Sequence, residues 1–267
     1  MLYLKKKWNS DGGYREVLVI AIPLILITAT WSIQHFVDRM FLTWYSPETI
    51  AAAMPAGMLN FTIISIFMGT AGYVSTFVAQ YYGAGRFYRI GPALWQGIYI
   101  SLVGGLVLLC IIPLAEPTFR LIGHSPEIQK HEVIYFQILC LGGGAYIGSY
   151  ALSGFFSGRG KTWPVMWVNV ATTVVNLVLD YALIFGHWGF PELGIRGAAI
   201  ATVAAGVFSL LVFFILLFAG GNDRIYHTKR GWRLEKDLLG RLLRFGFPSG
   251  VQFFLEIGAF TGFVLVV

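Results

Sequence analysis

The sequence predicts an all-α, polytopic membrane protein, a six-helix bundle followed by a seventh transmembrane helix. Of its 267 residues, 57% are hydrophobic and 12% are charged, about half the charged share of a soluble domain. The apolar residues also lie in blocks that reach or exceed the ~20 residues that a helix needs to cross a bilayer. This composition excludes a soluble globular protein and an unfolded tail, so we expect a multi-pass protein in a lipid bilayer.

The predicted spans follow one another with short polar turns between them. The first run is too long for the apolar region of a signal peptide, and more spans follow it, so we expect it to be a retained helix. The six complete spans are Val17–Phe41, Ile50–Val78, Ile90–Pro113, Val133–Phe156, Trp163–Phe185 and Ile195–Ala219, and a seventh begins near Phe245.

The turns differ in charge, and this predicts the orientation of the chain. Positively charged flanks remain on the cytoplasmic side of a membrane. Fifteen of the 19 Lys and Arg residues flank the same side as the N-terminus, Lys5, Lys6 and Lys7 among them. The N-terminus is therefore expected to be cytoplasmic. Because the formal charge of +6 is spread among the turns and not gathered on one face, nucleic-acid binding is not expected.

The charged segment before the seventh span predicts a division of the chain. Residues 1–219 are expected to form an N-terminal six-helix lobe, residues 220–244 a cytoplasmic connector, and residues 245–267 the start of a second lobe. Phe245–Pro248 echoes Ile20–Pro23 at the start of the first span, 225 residues earlier, which is consistent with an internal repeat. The last residues are apolar and lack interfacial anchors, so we expect a chain of about twice 225 residues whose C-terminal lobe is missing here. A natural seven-helix protein is the alternative.

Three carboxylates lie inside the predicted spans, where each costs about 2.5–3.5 kcal/mol at a helix centre. They are Asp38, Asp180 and Glu256. Asp38 follows Pro23 by 15 residues and Asp180 follows Pro164 by 16, on helices predicted to run in the same direction. At 1.5 Å per residue they reach a similar depth in the outer half of the bilayer, so we expect them to share one site.

Polar stripes accompany both of these carboxylates. The fifth span carries Asn169, Thr173, Asn176 and Asp180, and the first span carries Trp31, Gln34 and Asp38. Spacings of three and four place each set on one helix face, and Thr202 of the sixth span lies at a comparable depth. Oxygen ligands of these kinds suit a small hard cation. The candidate ligands for Na⁺ are therefore Asp38, Asn176, Asp180 and Thr202, and the same carboxylates can carry H⁺. Alternatively, Asp38 lies at the membrane interface, paired with Arg39 or solvent.

Other residues in the spans are weaker candidates. Glu256, eight residues after Pro248, is expected nearer mid-membrane, either in a second protonation or cation site facing a cavity or in an interhelical hydrogen bond. Aromatic residues at Trp31, Tyr135 and Tyr146 can line a cavity that stacks on organic cations. The glycines at 142–144 predict close helix packing.

Several short motifs in order along the chain resemble the multidrug and toxic compound extrusion (MATE) family. They are Val37-Asp38, Val78–Gly85, Ser157–Thr162, the pair Asn176 and Asp180, and Gly194–Thr202. The resemblance implies two six-helix lobes around a central cavity, and export of organic cations and drugs in exchange for Na⁺ or H⁺. It also implies that Asp38, Asn176, Asp180 and Thr202 form the cation site of the N-terminal lobe, that Tyr135 lies beside them, and that Glu256 takes part in coupling. The C-terminal lobe of such a transporter is absent from this sequence.

The expected function is secondary antiport that exports small organic cations, with Na⁺ or H⁺ as the coupling ion and no cofactor. The first alternative is a flippase for lipid-linked precursors on a related two-lobe fold, which would need a cationic cavity where this chain has acidic groups. The second is a non-transporting membrane subunit. An enzyme is not expected, because the sequence offers neither paired metal ligands nor a nucleophile with its base.

Overall fold

The computed structural model describes residue 8 and residues 13–219 and 221–266. Within these ranges the chain forms helices and turns without strands, and seven helical stretches are long and apolar enough to cross a membrane. The all-α, multi-pass fold expected from the sequence is confirmed. Four residues used for the orientation and the connector, Lys5, Lys6, Lys7 and Gly220, lie outside the described residues, as does Val267.

Within residues 13–219 and 221–266, ten α-helices account for the spans and their flanks. In chain order they are α1 (Tyr14–Tyr45), α2 (Pro47–Gly72), α3 (Val74–Gly83), α4 (Ile90–Ile111), α5 (Ala115–Ile122), α6 (Pro126–Ser157), α7 (Thr162–Phe185), α8 (Ile195–Phe218), α9 (Asn222–Tyr226) and α10 (Lys236–Val266). Short 3₁₀ turns occur at Phe87–Arg89, Ile112–Leu114 and Arg230–Trp232. The second span combines α2 with α3, and the third combines α4 with α5.

Most helices extend beyond the apolar runs that predicted them. The fourth span begins at Pro126 instead of Val133, because polar residues such as Glu127 and His131 continue the helix although they lower its hydropathy. The second span begins at Pro47, where the Ser46 hydroxyl accepts a hydrogen bond from the Thr49 N–H at 3.2 Å. Such a cap satisfies a backbone donor that the helix itself leaves unpaired.

The seventh helix begins at Lys236, well before the predicted position near Phe245. Its first turns carry buried Leu238 and Leu242 on one face and exposed Arg241 on another. A hydropathy average hides this amphipathic pattern, since the charged face cancels the apolar one. The last part of the predicted connector, residues 236–244, is therefore helical.

Helix α6 lies at the centre of the bundle and packs against α2, α4 and α8. Its glycines permit this packing, as the sequence predicted. A Cβ added at Gly143 would collide with the Leu108 side chain, and one at Gly144 would lie 3.1 Å from the Cα of Gly105. At Gly144 the neighbouring atom is backbone, so a side chain at that position would push α4 slightly away from α6.

Helix α10 crosses α2 through glycines on both helices. A Cβ at Gly69 would lie 2.6 Å from the Cα of Gly250, and one at Gly250 would collide with the carbonyl oxygen of Ile66. Farther along the crossing, the hydroxyl oxygens of Thr62 and Thr261 are 2.6 Å apart. Small residues and hydroxyl pairs of this kind are what hold helices together where lipid surrounds them.

A buried carboxylate near the start of α6 has a histidine as its partner. The Glu132 side chain is 0% exposed, and its Oε1 lies 2.7 Å from Nδ1 of His124. Its other oxygen, Oε2, has no hydrogen-bond partner among the described residues. The histidine therefore ties the turn after α5 to α6.

Removing this partner is expected to destabilise the fold. The His124→Ala variant leaves a buried carboxyl group without its hydrogen bond, which typically costs about 1–3 kcal/mol. Chemical unfolding of the detergent-solubilised protein measures the change. Arg120→Ala is the control, because its ion pair with Glu116 is exposed on both sides and should contribute less than about 1 kcal/mol. An unfolding curve for His124→Ala that matches the control would contradict the structural role of the pair.

Candidate functional site

Helices α1 and α7 run side by side, and their polar stripes face each other. The Trp31 indole N–H donates to Oδ1 of Asn169 at 3.0 Å, and the Thr173 hydroxyl donates to Oε1 of Gln34 at 3.1 Å. The sequence separations of the two pairs are 138 and 139 residues, so the helices are parallel and in a constant register. The two stripes identified in the sequence thus form one polar seam.

The seam ends at two carboxylates. Asp38 and Asp180 face each other across the helix contact, as their equal predicted depth suggested. Asp180 is 0% exposed, and Asn176, one turn earlier on the same face of α7, is also 0% exposed. The seam therefore changes from paired amide and hydroxyl groups to a pair of like groups whose oxygens only accept hydrogen bonds when ionised.

Five polar atoms at this end lack a hydrogen-bond partner among the described residues. They are Oδ1 of Asp38, Nδ2 and Oδ1 of Asn176, and Oδ1 and Oδ2 of Asp180. Buried polar atoms are bonded in the large majority of cases, so a group of five in one place is unusual. Unsatisfied oxygens around two carboxylates are the arrangement that a proton or a metal cation would complete.

The alternative pairing of Asp38 with Arg39 is not what the structure shows. Within residues 13–219 and 221–266, no Lys, Arg or His nitrogen lies within 4.0 Å of Asp38 or Asp180. His35 and Arg39 are nearby on α1, and both are exposed. The carboxylate pair is therefore not neutralised by a direct ion pair.

Two hydroxyl groups complete the cluster from the other side. Tyr135 on α6 adjoins both carboxylates, and its hydroxyl faces that of Thr202 on α8. The Thr202 hydroxyl donates to the carbonyl oxygen of Ala198 at 3.0 Å. Since its proton is used there, the lone pairs of Thr202 remain available to a donor or a cation.

Five side chains from α1, α6, α7 and α8 form a group that we call the cation cluster. Its members are Asp38, Tyr135, Asn176, Asp180 and Thr202. Within the described residues, no group of three or more His, Cys, Asp or Glu side chains could hold a metal ion. The cluster instead offers carboxylate, amide and hydroxyl oxygens, which fit Na⁺ or H⁺ and not a soft transition metal.

Glu256 lies apart from this cluster. It is exposed on α10, a helix that packs mainly against α2 and not against α1 or α7. Gln252, one turn earlier, is also exposed. No hydrogen bond from Glu256 to another described residue is present in the structure, so the interhelical bond that the sequence left open is not formed here.

A cavity of about 630 Å³ adjoins the cluster between α1, α2, α6, α7 and α8. Along α6 its lining runs from Tyr135 to Ser157, about 33 Å at 1.5 Å per residue, which is comparable to the bilayer core. The three aromatic residues singled out in the sequence, Trp31, Tyr135 and Tyr146, all line it, as do Gln34, Asp38 and Thr202. Asn176 and Asp180 are not among the lining residues.

The sequence analysis did not identify the serine residues that line this cavity. Ser149, Ser153 and Ser157 line it from α6, and the Ser149 hydroxyl lies 2.7 Å from that of Ser209 on α8. Their spacing of four on an otherwise apolar helix was the available signal. The cavity is therefore aromatic and carboxylate-lined toward Tyr135 and hydroxyl-lined toward Ser157.

The sequence of this chain matches a family model and known proteins. The family model described as MatE matches residues 23–182, which include Asp38, Asn176 and Asp180. The probable multidrug resistance protein NorM of Synechocystis is 30% identical over 97% of this chain and 57% of its own length. That of Bradyrhizobium diazoefficiens is 30% identical over 94% and 54%.

Solved structures share the fold. A MOP superfamily transporter from Pyrococcus furiosus, described as having a binding pocket of reverse polarity, superposes with a TM-score of 0.82 at 22% identity. The match covers 93% of this chain and 54% of that one. The chain spans about half the length of the relatives that it matches.

Proposed function

Because the chain belongs to the MatE family, whose relatives are transporters and not enzymes, we propose that it supplies the cation-coupling lobe of a secondary antiporter. In this proposal Na⁺ or H⁺ binds the cation cluster, and a small organic cation leaves the cell in exchange. The observation that carries the proposal is the group of five unpartnered polar atoms around Asp38 and Asp180. A protein keeps such groups inside a membrane where they handle ions.

The cavity supports the second half of the exchange. Aromatic faces at Trp31, Tyr135 and Tyr146 can stack on an organic cation, and Asp38 provides a negative charge on the same wall. A cavity of about 630 Å³ is within the range of small-molecule sites. The proposed cargo is therefore a small, apolar, positively charged molecule.

Coupling follows from the shared carboxylate. Asp38 belongs to the cluster and also lines the cavity, so a cation bound at the Asp38–Asp180 pair reduces the negative charge that holds the cargo. Binding of one ligand then lowers the affinity for the other by the same factor in both directions. Alternating access would come from rocking of this lobe against a second one, with the N-terminus on the cytoplasmic side of the inner membrane.

The two alternatives make different predictions. A flippase for lipid-linked precursors would need several cationic groups to hold a pyrophosphate. Among the described residues that line the cavity, Arg39 is the one Lys or Arg, and the Asp38 carboxylate lies next to it on α1. A non-transporting subunit would move no cargo and would show no response to cations.

Efflux driven by an imposed cation gradient tests the proposal. The protein is expressed from its natural gene in cells that lack other multidrug exporters, and its intact mass is measured to establish whether the chain is made alone or as part of a longer polypeptide. Ethidium movement is then followed in inside-out membrane vesicles under a Na⁺ gradient or a pH gradient. We expect Asp38→Asn and Asp180→Asn to reduce gradient-driven movement to that of empty vesicles.

The matched control is Glu116→Gln, which neutralises an exposed carboxylate outside the cluster and should retain wild-type movement. All three variants should insert in the membrane at equal levels. Undiminished ethidium movement in both aspartate variants would rule out the proposed coupling site.

A further inference from the structure

One part of the chain has no role in the cation cluster or the cavity. It is the loop Thr228–Leu234 between α9 and α10, which we call the interfacial loop. Its backbone is fixed to the side of α4, because the Trp95 indole N–H donates to the carbonyl oxygen of Thr228 at 2.7 Å. The Tyr99 hydroxyl also donates to the carbonyl oxygen of Trp232. The segment is therefore a docked element of the lobe.

Close contact with α4 strengthens this docking. The Gln96 amide donates to the carbonyl oxygen of Arg233 at 3.3 Å. Gly231 lies so near the start of α4 that an added Cβ would be 2.6 Å from the Pro92 nitrogen. The backbone of the loop faces inward, so its larger side chains have to point away from α4.

The Asp223 carboxylate, which lies outside the membrane spans, binds the backbone of the loop. Oδ1 of Asp223 accepts hydrogen bonds from the backbone N–H of Lys229 at 2.7 Å and of Arg230 at 3.2 Å. The N–H of Lys229 is the main reason that the pKa of Asp223 lies below its ordinary value. The ionised carboxylate therefore fixes the backbone at Lys229 and Arg230 to α9.

The outward side chains combine apolar bulk with positive charge. Trp232 is 59% exposed and Leu234 is 54% exposed, while Lys229, Arg230 and Arg233 are also exposed. Arg230 lies 3.6 Å from Asp223. In the described part of the chain, neither Lys229 nor Arg233 has a carboxylate within 4.0 Å.

The position of the loop along α4 places it at the edge of an apolar surface. Tyr99, which binds the loop, is followed within two turns by Leu102, Val103 and Leu106, each more than half exposed. Such a surface on a membrane-spanning helix faces lipid. Tryptophan and tyrosine are enriched where the hydrocarbon meets the headgroups, and that is where this geometry puts Trp232.

We propose that the interfacial loop is a binding site for an anionic phospholipid, with Lys229 and Arg233 contacting the headgroup phosphate and Trp232 lying at the level of the acyl-chain ester groups. Clusters of Lys and Arg beside a transmembrane helix attract anionic lipids. The exposed Trp232 and Leu234 favour a lipid over a soluble anion, because only the lipid has acyl chains that can contact these apolar side chains. The inference goes beyond transport and does not depend on it.

Lipid retention measured by native mass spectrometry tests the site. The purified full polypeptide is equilibrated in detergent with phosphatidylglycerol or with phosphatidylcholine of the same acyl chains. We expect the wild type to retain phosphatidylglycerol preferentially, and Lys229→Gln/Arg233→Gln to weaken its binding by about tenfold or more. The matched control, Lys130→Gln/Arg196→Gln, removes two exposed basic residues elsewhere on the chain and should retain phosphatidylglycerol like the wild type.

A second measurement locates the lipid. Phosphatidylglycerol with brominated acyl chains should quench the wild type more than the Trp232→Phe variant, since only the wild type has an indole at that position. Equal quenching of the two, or equal loss of phosphatidylglycerol in the control double variant, would overturn the proposal. So would full displacement of the lipid by inorganic phosphate, which would identify a soluble-anion site.

Discussion

Replacing Asp180 with asparagine is expected to remove the stabilisation that the coupling cation gives to the wild-type protein. A ligand at 100 times its Kd stabilises a folded protein by about 2.7 kcal/mol, which corresponds to a rise in Tm of about 5–10 °C for a chain of this size. Asparagine has the same shape as aspartate, and its amide N–H can donate to Asp38, so the variant should fold without the cation. The measurement is thermal unfolding in detergent with NaCl replaced stepwise by KCl at constant ionic strength.

The comparison also distinguishes the two coupling ions. If Na⁺ drives transport, Tm of the wild type rises with NaCl at fixed pH. If H⁺ drives it, Tm is insensitive to NaCl and responds to a pH series instead. In either case Asp38→Asn should behave like Asp180→Asn, and Glu116→Gln should behave like the wild type. A wild-type Tm that responds to neither ion would contradict the cation cluster.

Valine at Gly250 is expected to separate α10 from α2. A Cβ at this position would collide with the backbone of Ile66, and backbone cannot move aside as a flexible side chain can. Overpacking a tight contact costs about 1–3 kcal/mol or more. The crossing also positions Thr62 against Thr261 with hydroxyl oxygens 2.6 Å apart, so loss of the crossing should break that contact.

Disulfide cross-linking measures this separation. In a background with Cys110 and Cys140 replaced, Thr62→Cys/Thr261→Cys should form a disulfide on mild oxidation, and addition of Gly250→Val should suppress it. Gly262→Val is the matched control, since a Cβ at Gly262 meets no atom within 4 Å. Equal cross-linking with valine at 250 and at 262 would show that the glycine contact does not hold the two helices together.

The cation cluster shows which features of a site can be predicted from the local sequence pattern. Helical spacing placed Trp31, Gln34 and Asp38 on one face and Asn176 with Asp180 on another. Counting residues from a proline near the start of each span placed the two carboxylates at similar depth. These inferences need only the 3.6-residue period and the rise per residue. The contact of Gln34 with Thr173, at 3.1 Å, needed the register between two helices, which no local rule supplies.

Glu256 and the interfacial loop show what local pattern leaves open. The sequence placed Glu256 within an apolar run without deciding which face of the helix is covered, and α10 presents it on an exposed face. The sequence predicted a cytoplasmic connector over residues 220–244, and the structure adds that its backbone is bound to α4 through Trp95 and Tyr99. Which face of a helix is covered depends on its neighbours, and average hydropathy carries no information about neighbours.

The sequence by itself determined the all-α membrane fold, the approximate positions of the spans and the two polar stripes, because hydrophobic length and helical period are properties of contiguous residues. Only the tertiary structure decided that Asp38 and Asp180 face each other without a donor, that Glu132 is paired with His124, and that Gly250 contacts α2. These features arise from groups distant along the chain whose separation is set by helix packing. Packing depends on the fit of whole surfaces, so it follows from the three-dimensional arrangement and not from the order of residues along one helix.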